Sequence, residues 1–154
     1  MSDLTKINLF ENRFSGYVPP TLGKLGAIQN LDLAQNTLIA DDNKGWEFIT
    51  FLANCTRLQR LSLGTKSFGG QLPGSIVNLS TTLSEFHIAN NMVYGLIPTD
   101  IGNLVGLERL AIVHTSVHGV IPESIGKLKN LNVPGLYNNN LSGLIPPSLG
   151  KLSR

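Results

Sequence analysis

Apolar residues in this chain fall on a short, strict pattern. Leu83, Phe86 and Ile88 occupy positions one, four and six of a unit, and the same spacing returns at Leu58, Leu61, Leu63 and at Leu107, Leu110, Ile112. The last two apolar positions of each trio alternate with a polar one, the period of a short strand with one buried face. Aligning the first positions on Leu4, Ile28, Leu58, Leu83, Leu107 and Leu131 gives spacings of 24, 30, 25, 24 and 24 residues. The chain therefore reads as six copies of one unit, at residues 4–27, 28–57, 58–82, 83–106, 107–130 and 131–154. Recurrence at this period predicts a solenoid in which each copy is one coil that buries its neighbour's apolar edge. Successive strands then pair in parallel, ~4.8 Å apart, into one sheet on the concave side, with irregular or 3-10 turns on the convex side.

The polar positions within the unit carry their own logic. An Asn follows the strand at Asn12, Asn36, Asn91 and Asn139, where an inward amide satisfies backbone groups of adjacent coils. Lys66 and Thr115 stand in the same slot. Thr supplies part of that hydrogen bonding, whereas Lys offers only donors and must swing outward, which predicts a loosened rung at Lys66. Farther along, Gly16, Gly70, Gly95, Gly119 and Gly143 each precede an apolar-Pro pair, such as Ile97-Pro98, a combination that bends the chain and then extends it.

Two stretches depart from the period. The second unit has six extra residues and lacks the Gly-x-Ile-Pro segment. There Trp46, Ile49, Leu52, Ala53 and Cys55 share one helical face, which predicts a helix near residues 43–55 with Asp42 or Asn43 as its N-cap. Trp46 reads as core, the commoner role of an aromatic at helical spacing, in preference to a partner anchor. Pro134 occupies the first strand-apolar slot of the sixth unit and removes a backbone donor, which predicts a distorted or edge strand.

Composition narrows the function classes. With 12 basic and 10 acidic residues the net charge is +2, too small to favour nucleic acid or an anionic membrane as partner. The 16 Gly and 8 Pro recur at fixed intervals, as repeated turns do. Cys55 stands alone and forms no internal disulfide. No apolar run reaches the ~20 residues of a membrane span, and the first residues lack the basic and apolar regions of a signal peptide. Because the chain starts in mid-pattern, Met1 reads as an internal residue or a late start codon.

Outward strand residues of parallel neighbours line up in columns, which are the candidate binding surface. One column runs Lys6, Asn30, Arg60, Glu85, Arg109, Val133. Its two arginines flank one glutamate, an arrangement that serves either as a cross-strand salt ladder or as a ligand contact. A second column runs Phe10, Ala34, Gly64, Ala89, Val113, Tyr137, small in the middle and aromatic at the ends, as a bed for a polypeptide. His87, His114 and Tyr137 complete the candidates. They read first as solvated residues and second as contacts that join apolar area to a polar handle.

Catalysis finds no constellation. His87 and His114 lie in columns three residues apart, ~10 Å at the strand rise, and no Cys or carboxylate pair completes a metal set. His118 lies beyond the ladder. No nucleophile elbow, P-loop or H-E-x-x-H is present, and neither an enzyme activity nor a cofactor is expected.

With its L-x-x-L-x-L-x-x-N-x-L-x-G-x-I-P unit, the chain resembles the plant-specific class of extracellular leucine-rich repeats over residues 4–152. The run from Trp46 to Leu58, followed by Gly69 to Leu83, is similar to ectodomains of immune receptor-like Ser/Thr kinases, of the rice bacterial-blight resistance and elongation factor Tu receptor type. That resemblance implies repeats facing the apoplast on a single-pass plasma-membrane receptor, binding a peptide or protein ligand or a co-receptor ectodomain. The chain then corresponds to the interior of a longer array, without paired-Cys caps, membrane helix or kinase signature, and itself makes no direct membrane contact. The sequons at Asn54, Asn78 and Asn140 suit an apoplastic glycoprotein. Polygalacturonase-inhibiting proteins share the Gly-x-Ile-Pro unit, so a secreted enzyme inhibitor is the alternative, with a non-functional truncated receptor copy as the third. The Trp46–Cys55 insertion favours the receptor.

Overall fold

The computed structural model describes residues 3–64 and 66–152; Met1, and with it the reading of that residue as internal or a late start, lies outside them. In chain order the strands are β1 (Lys6–Asn8), β2 (Ser15–Tyr17), β3 (Asn30–Asp32), β4 (Thr37–Ile39), β5 (Arg60–Ser62), β6 (Glu85–His87), β7 (Tyr94–Leu96), β8 (Arg109–Ala111), β9 (Ser116–Gly119), β10 (Val133–Gly135) and β11 (Asn140–Leu141). β1, β3, β5, β6, β8 and β10 form one six-stranded sheet in that spatial order, parallel and in exact register throughout. The solenoid follows from this pairing, one strand per coil.

Burial explains the register. Leu31, Leu61, Phe86 and Leu110 are each at most 1% exposed and stack behind the sheet, so a slip of one residue turns an apolar column into solvent. Each such leucine or phenylalanine contributes roughly 1.5–3 kcal/mol by leaving water. Behind them the chain returns through 3-10 turns at Pro20–Lys24, Gly74–Asn78, Ile101–Asn103, Glu123–Lys127 and Pro147–Lys151. Coils approach closely there: a Cβ on Gly102 falls 2.2 Å from the Ser124 carbonyl oxygen. Gly102 donates its N–H to Ser124 Oγ across the same gap, 3.3 Å.

A second ladder runs along the flank. β2 pairs with β4, and β7, β9 and β11 form a three-stranded parallel sheet, with bridges at Ala40–Phe68 and Gln71–Tyr94 between the two groups. The extended Gly-x-Ile-Pro segments build it, with Gly95 and its counterparts at positive φ.

The Asn positions tie coils together. Asn36 Nδ2 donates to the Leu9 carbonyl at 2.8 Å, Asn91 Nδ2 to Leu63 at 2.9 Å and Asn139 Nδ2 to Ile112 at 2.6 Å, each one coil back. Asn12, in the first coil, donates to the Leu9 and Phe10 carbonyls of its own coil. Thr115 turns its hydroxyl forward onto Asn139 Oδ1. Lys66 is exposed, as its chemistry requires, and its backbone takes φ +71°. In the other coils the left-handed residue falls one position earlier, at Glu11, Gln35, Asn90, His114 and Asn138. The rung at Lys66 thus differs from the others in carrying a left-handed residue within the slot itself.

The insertion forms a helix shorter than its apolar face suggests. α1 spans Glu47–Leu52, and its N-cap is Trp46, which makes no side-chain capping bond. Asp42 caps the preceding turn instead, accepting the Gly45 N–H at 2.7 Å. Asn43 is exposed and is not the N-cap. Trp46 is core: 4% exposed, ring centroids 5.5 Å from Phe68 and 6.1 Å from Phe48, with Nε1 donating to the Gly69 carbonyl at 2.9 Å. That bond joins coils two and three, where Lys66 supplies no amide. Phe48, absent from the expected face, is fully buried.

Pro134 leaves β10 in register with Leu110 but at the edge of the sheet, where the missing donor faces no partner strand. The N–H groups of Asn132 and Val133 converge on the Glu108 carbonyl and hold the strand.

Candidate functional site

The concave columns are real and in register: Lys6 pairs with Asn30, Asn30 with Arg60, Arg60 with Glu85, Glu85 with Arg109 and Arg109 with Val133. Arg60 Nη2 lies 3.0 Å and Arg109 Nη1 2.8 Å from the same oxygen, Glu85 Oε1. The Glu85 side chain is 17% exposed against 58% for Arg60 and 53% for Arg109, so the carboxylate lies beneath two outward guanidinium groups. Each exposed pair is worth only ~0.2–1 kcal/mol to the fold.

Two residues along β6, on the same face, is the half-buried His87, next to Ser62 and Ala111 of the flanking strands. His87 and Ser62 line a hollow on the sheet with Lys6, Asn8, Asn30, Asp32, Arg60 and Glu85. The small Ser62 leaves its floor low, and Ala111 and Gly135 continue the same row beyond it.

The second column does not form a continuous bed. Ala34 and Val113 are each 6% exposed, so Val113 offers a ligand almost no area. The same slot in the two end coils, Phe10 and Tyr137, is 46% and 64% exposed. His114 and Tyr137 are brought together: both are exposed, ring centroids 5.5 Å apart and edge to face, with Asn138 Nδ2 3.1 Å from His114 Nδ1. Asn138 had no signal in the sequence beyond its place one coil after His114. His118 lies in β9 on the flank, away from the concave sheet.

Asn54, Asn78 and Asn140 are all exposed, the last within β11 at the edge of the flank sheet. Cys55 is fully buried among the Leu22, Gly23 and Leu25 carbonyls, and burial pushes its thiol pKa up. A cluster the sequence did not suggest joins coils one and two at the flank. Tyr17 donates its hydroxyl to Asp42 Oδ2 at 3.3 Å, beneath Lys44 Nζ, 5.7 Å from the ring centroid. Among the described residues no group of three or more His, Cys, Asp or Glu is placed to hold a metal, and no helix is long and apolar enough to cross a membrane.

The family described as Leucine Rich Repeat matches residues 3–25 and 127–152, the first and last coils. The backbone superposes on the plant peptide hormone receptor RGFR1, solved in complex with RGF2, with a TM-score of 0.88 over 98% of this chain and 23% of that one, at 28% identity. The chain is a leucine-rich-repeat solenoid like those of plant receptor-kinase ectodomains. The solenoid is 45% identical over 89 residues to the LRR receptor-like serine/threonine-protein kinase EFR of Arabidopsis thaliana, covering 58% of this chain and 9% of that protein. It is 44% identical over 88 residues to the receptor kinase-like protein Xa21 of Oryza sativa subsp. japonica, covering 57% and 8%. The Arabidopsis receptor kinase HAESA, solved with the peptide hormone IDA and the co-receptor SERK1, is 30% identical, with a TM-score of 0.75 over 96% of this chain and 28% of that one. The solenoid spans less than a tenth of the length of these two curated relatives.

Proposed function

We propose that the six coils are an interior segment of the ectodomain of a plant receptor. Their concave sheet recognises a peptide or protein ligand, or a co-receptor ectodomain, in immune or developmental signalling at the apoplastic face of the plasma membrane. The segment recognises and does not catalyse; any kinase activity belongs to a separate domain of such a receptor. The observation that carries this reading is the in-register concave sheet, with a polar hollow at Lys6–His87 and an aromatic pair at His114 and Tyr137. The structures of HAESA with the peptide hormone IDA and of the peptide hormone receptor RGFR1 with RGF2 support it. The exposed Asn54, Asn78 and Asn140 suit N-glycosylation of a secreted segment and lie off the concave sheet.

A peptide-display selection on the secreted 154-residue chain tests the reading. Filling the floor with Ser62→Trp and Ala111→Trp is expected to abolish capture of the selected peptides, while Leu96→Asp on the flank leaves it intact. Capture that survives the filled floor but is lost on the flank variant would sink the concave assignment.

A further inference from the structure

Resting on the concave-face reading, we infer that Arg60, Glu85 and Arg109 form an anchor for one acidic side chain, Asp or Glu, of an extended peptide that crosses the strands. The geometry is specific. Two guanidinium groups from strands two rungs apart converge on a single oxygen of Glu85. The carboxylate is the least exposed member and lies below them. A guanidinium has five N–H donors, and the ion pairs described use one nitrogen of each, so further donors on both face the solvent side of the groove. Glu85 thereby acts as an internal counter-ion that fixes the separation and aim of the pair in advance, lowering the ordering cost of binding.

Charge selects the ligand group. Two arginines and one glutamate leave a net single positive charge, to which Lys6 and Asp32 of the adjoining hollow add opposite and cancelling charges, and this matches one carboxylate, a group that guanidinium binds in a planar, bidentate fashion. A doubly charged group would meet Glu85 at close range and lose part of its gain to repulsion. The floor decides between a side chain and a chain end. Ser62 lies on one side of His87, Ala111 and then Gly135 on the other, so no bulky residue of this row stops the groove on either side of the anchor. A peptide runs through this position, and the carboxylate it presents there comes from within its length.

The test uses the 154-residue chain and a display library of nonapeptides with both ends capped. The wild-type chain is expected to enrich Asp or Glu at one fixed position, and changing that residue to Asn or Gln in a selected peptide to weaken binding about tenfold. Arg60→Gln with Arg109→Gln removes the enrichment while other positions still select. Glu85→Gln, whose amide oxygen still accepts from the arginines and keeps their aim while the competing charge is lost, strengthens the selected acidic peptide by roughly three- to tenfold and steepens its salt dependence. A ladder that serves only the fold predicts the reverse: all three substitutions lower the unfolding midpoint and leave peptide preference alone. Binders without an acidic position overturn the anchor and leave the concave reading standing. So does a Glu85→Gln variant that binds as weakly as the arginine variants, or selection that succeeds only with a free C-terminus. Failure of the folded wild-type chain to select any peptide, with either end chemistry, overturns both.

Discussion

Asn91 Nδ2 donates to the Leu63 carbonyl one coil back, at 2.9 Å, while its Oδ1 accepts the Phe68 N–H. The same amide also reaches the Ile88 and Ala89 carbonyls, so one side chain satisfies groups on both sides of a coil boundary. Asn91→Ala is expected to cost about 2–4 kcal/mol, because those groups lose their partner in a dry interior. Asn12→Ala, whose bonds are exposed and stay within one coil, is expected to cost under ~1 kcal/mol. Urea denaturation of the two variants measures the difference; equal midpoints would remove the amide as the tie between coils.

Trp46 closes the boundary that Lys66 leaves without an amide. Trp46→Ala is expected to lose about 3–5 kcal/mol from the cavity alone. Trp46→Phe keeps most of the packing on Phe48 and Phe68 but leaves the Gly69 carbonyl without the indole, a loss of about 1–3 kcal/mol. A Trp46→Ala chain as stable as wild type would return the insertion to a surface decoration.

Two glycines with no positive φ separate close approach from loop flexibility. Gly102→Ala places a methyl 2.2 Å from a backbone oxygen and is expected to lower the thermal midpoint by several degrees, whereas Gly26→Ala meets nothing within 4 Å and should be neutral or slightly stabilising. Differential scanning calorimetry of both decides it.

Asp42 raises the Tyr17 pKa above its ordinary 10.0 by charge repulsion, with burial, Asp41 and the hydrogen bond to Asp42 adding in the same direction. The folded chain thus holds this proton more tightly than the unfolded chain. Any stability it lends is complete below pH 10.0 and disappears as pH rises through the raised value. Asp42→Asn should move the phenolate absorbance titration of Tyr17 back toward 10.0; no movement would show that the Asp42 charge is not the cause.

Cys55 is expected to resist alkylation at neutral pH in the folded chain and to react freely in denaturant, since its thiol is enclosed and its pKa raised. Equal rates in both states would mean that α1 opens readily.

The coil plan, the strand faces and the Asn positions were legible because each depends on spacing within a repeated unit. The Arg60–Glu85–Arg109 ladder followed from register alone. Other features depend on backbone turns that composition does not mark. The burial of Val113, the left-handed residues before the Asn slots and the left-handed Lys66 within its slot have no sequence signal. The apolar stripe of α1 fitted a longer helix, but Asp42 spends its side chain on the turn before it, so the helix begins only after Trp46. The flank sheet was visible only as extended Gly-x-Ile-Pro segments, since strand pairing across coils needs the coil pitch as well as the strand.

Drawn out from its two ends, a stack of this kind behaves as a spring whose joints differ in stiffness. Inward Asn amides rivet coils one to two, three to four and five to six. An indole serves between two and three, and between four and five a seryl oxygen meets a glycine N–H at 3.3 Å while Asn130 Nδ2 donates to the Val105 carbonyl at 3.3 Å. The joint between coils four and five has no Asn-slot amide and relies on these contacts and on the Glu85–Arg109 pair, which crosses it. A peptide gripped by Arg60 and Arg109 spans it and works as a splint, so occupancy would register as a change in elasticity along the whole coil, readable by pulling on the ends.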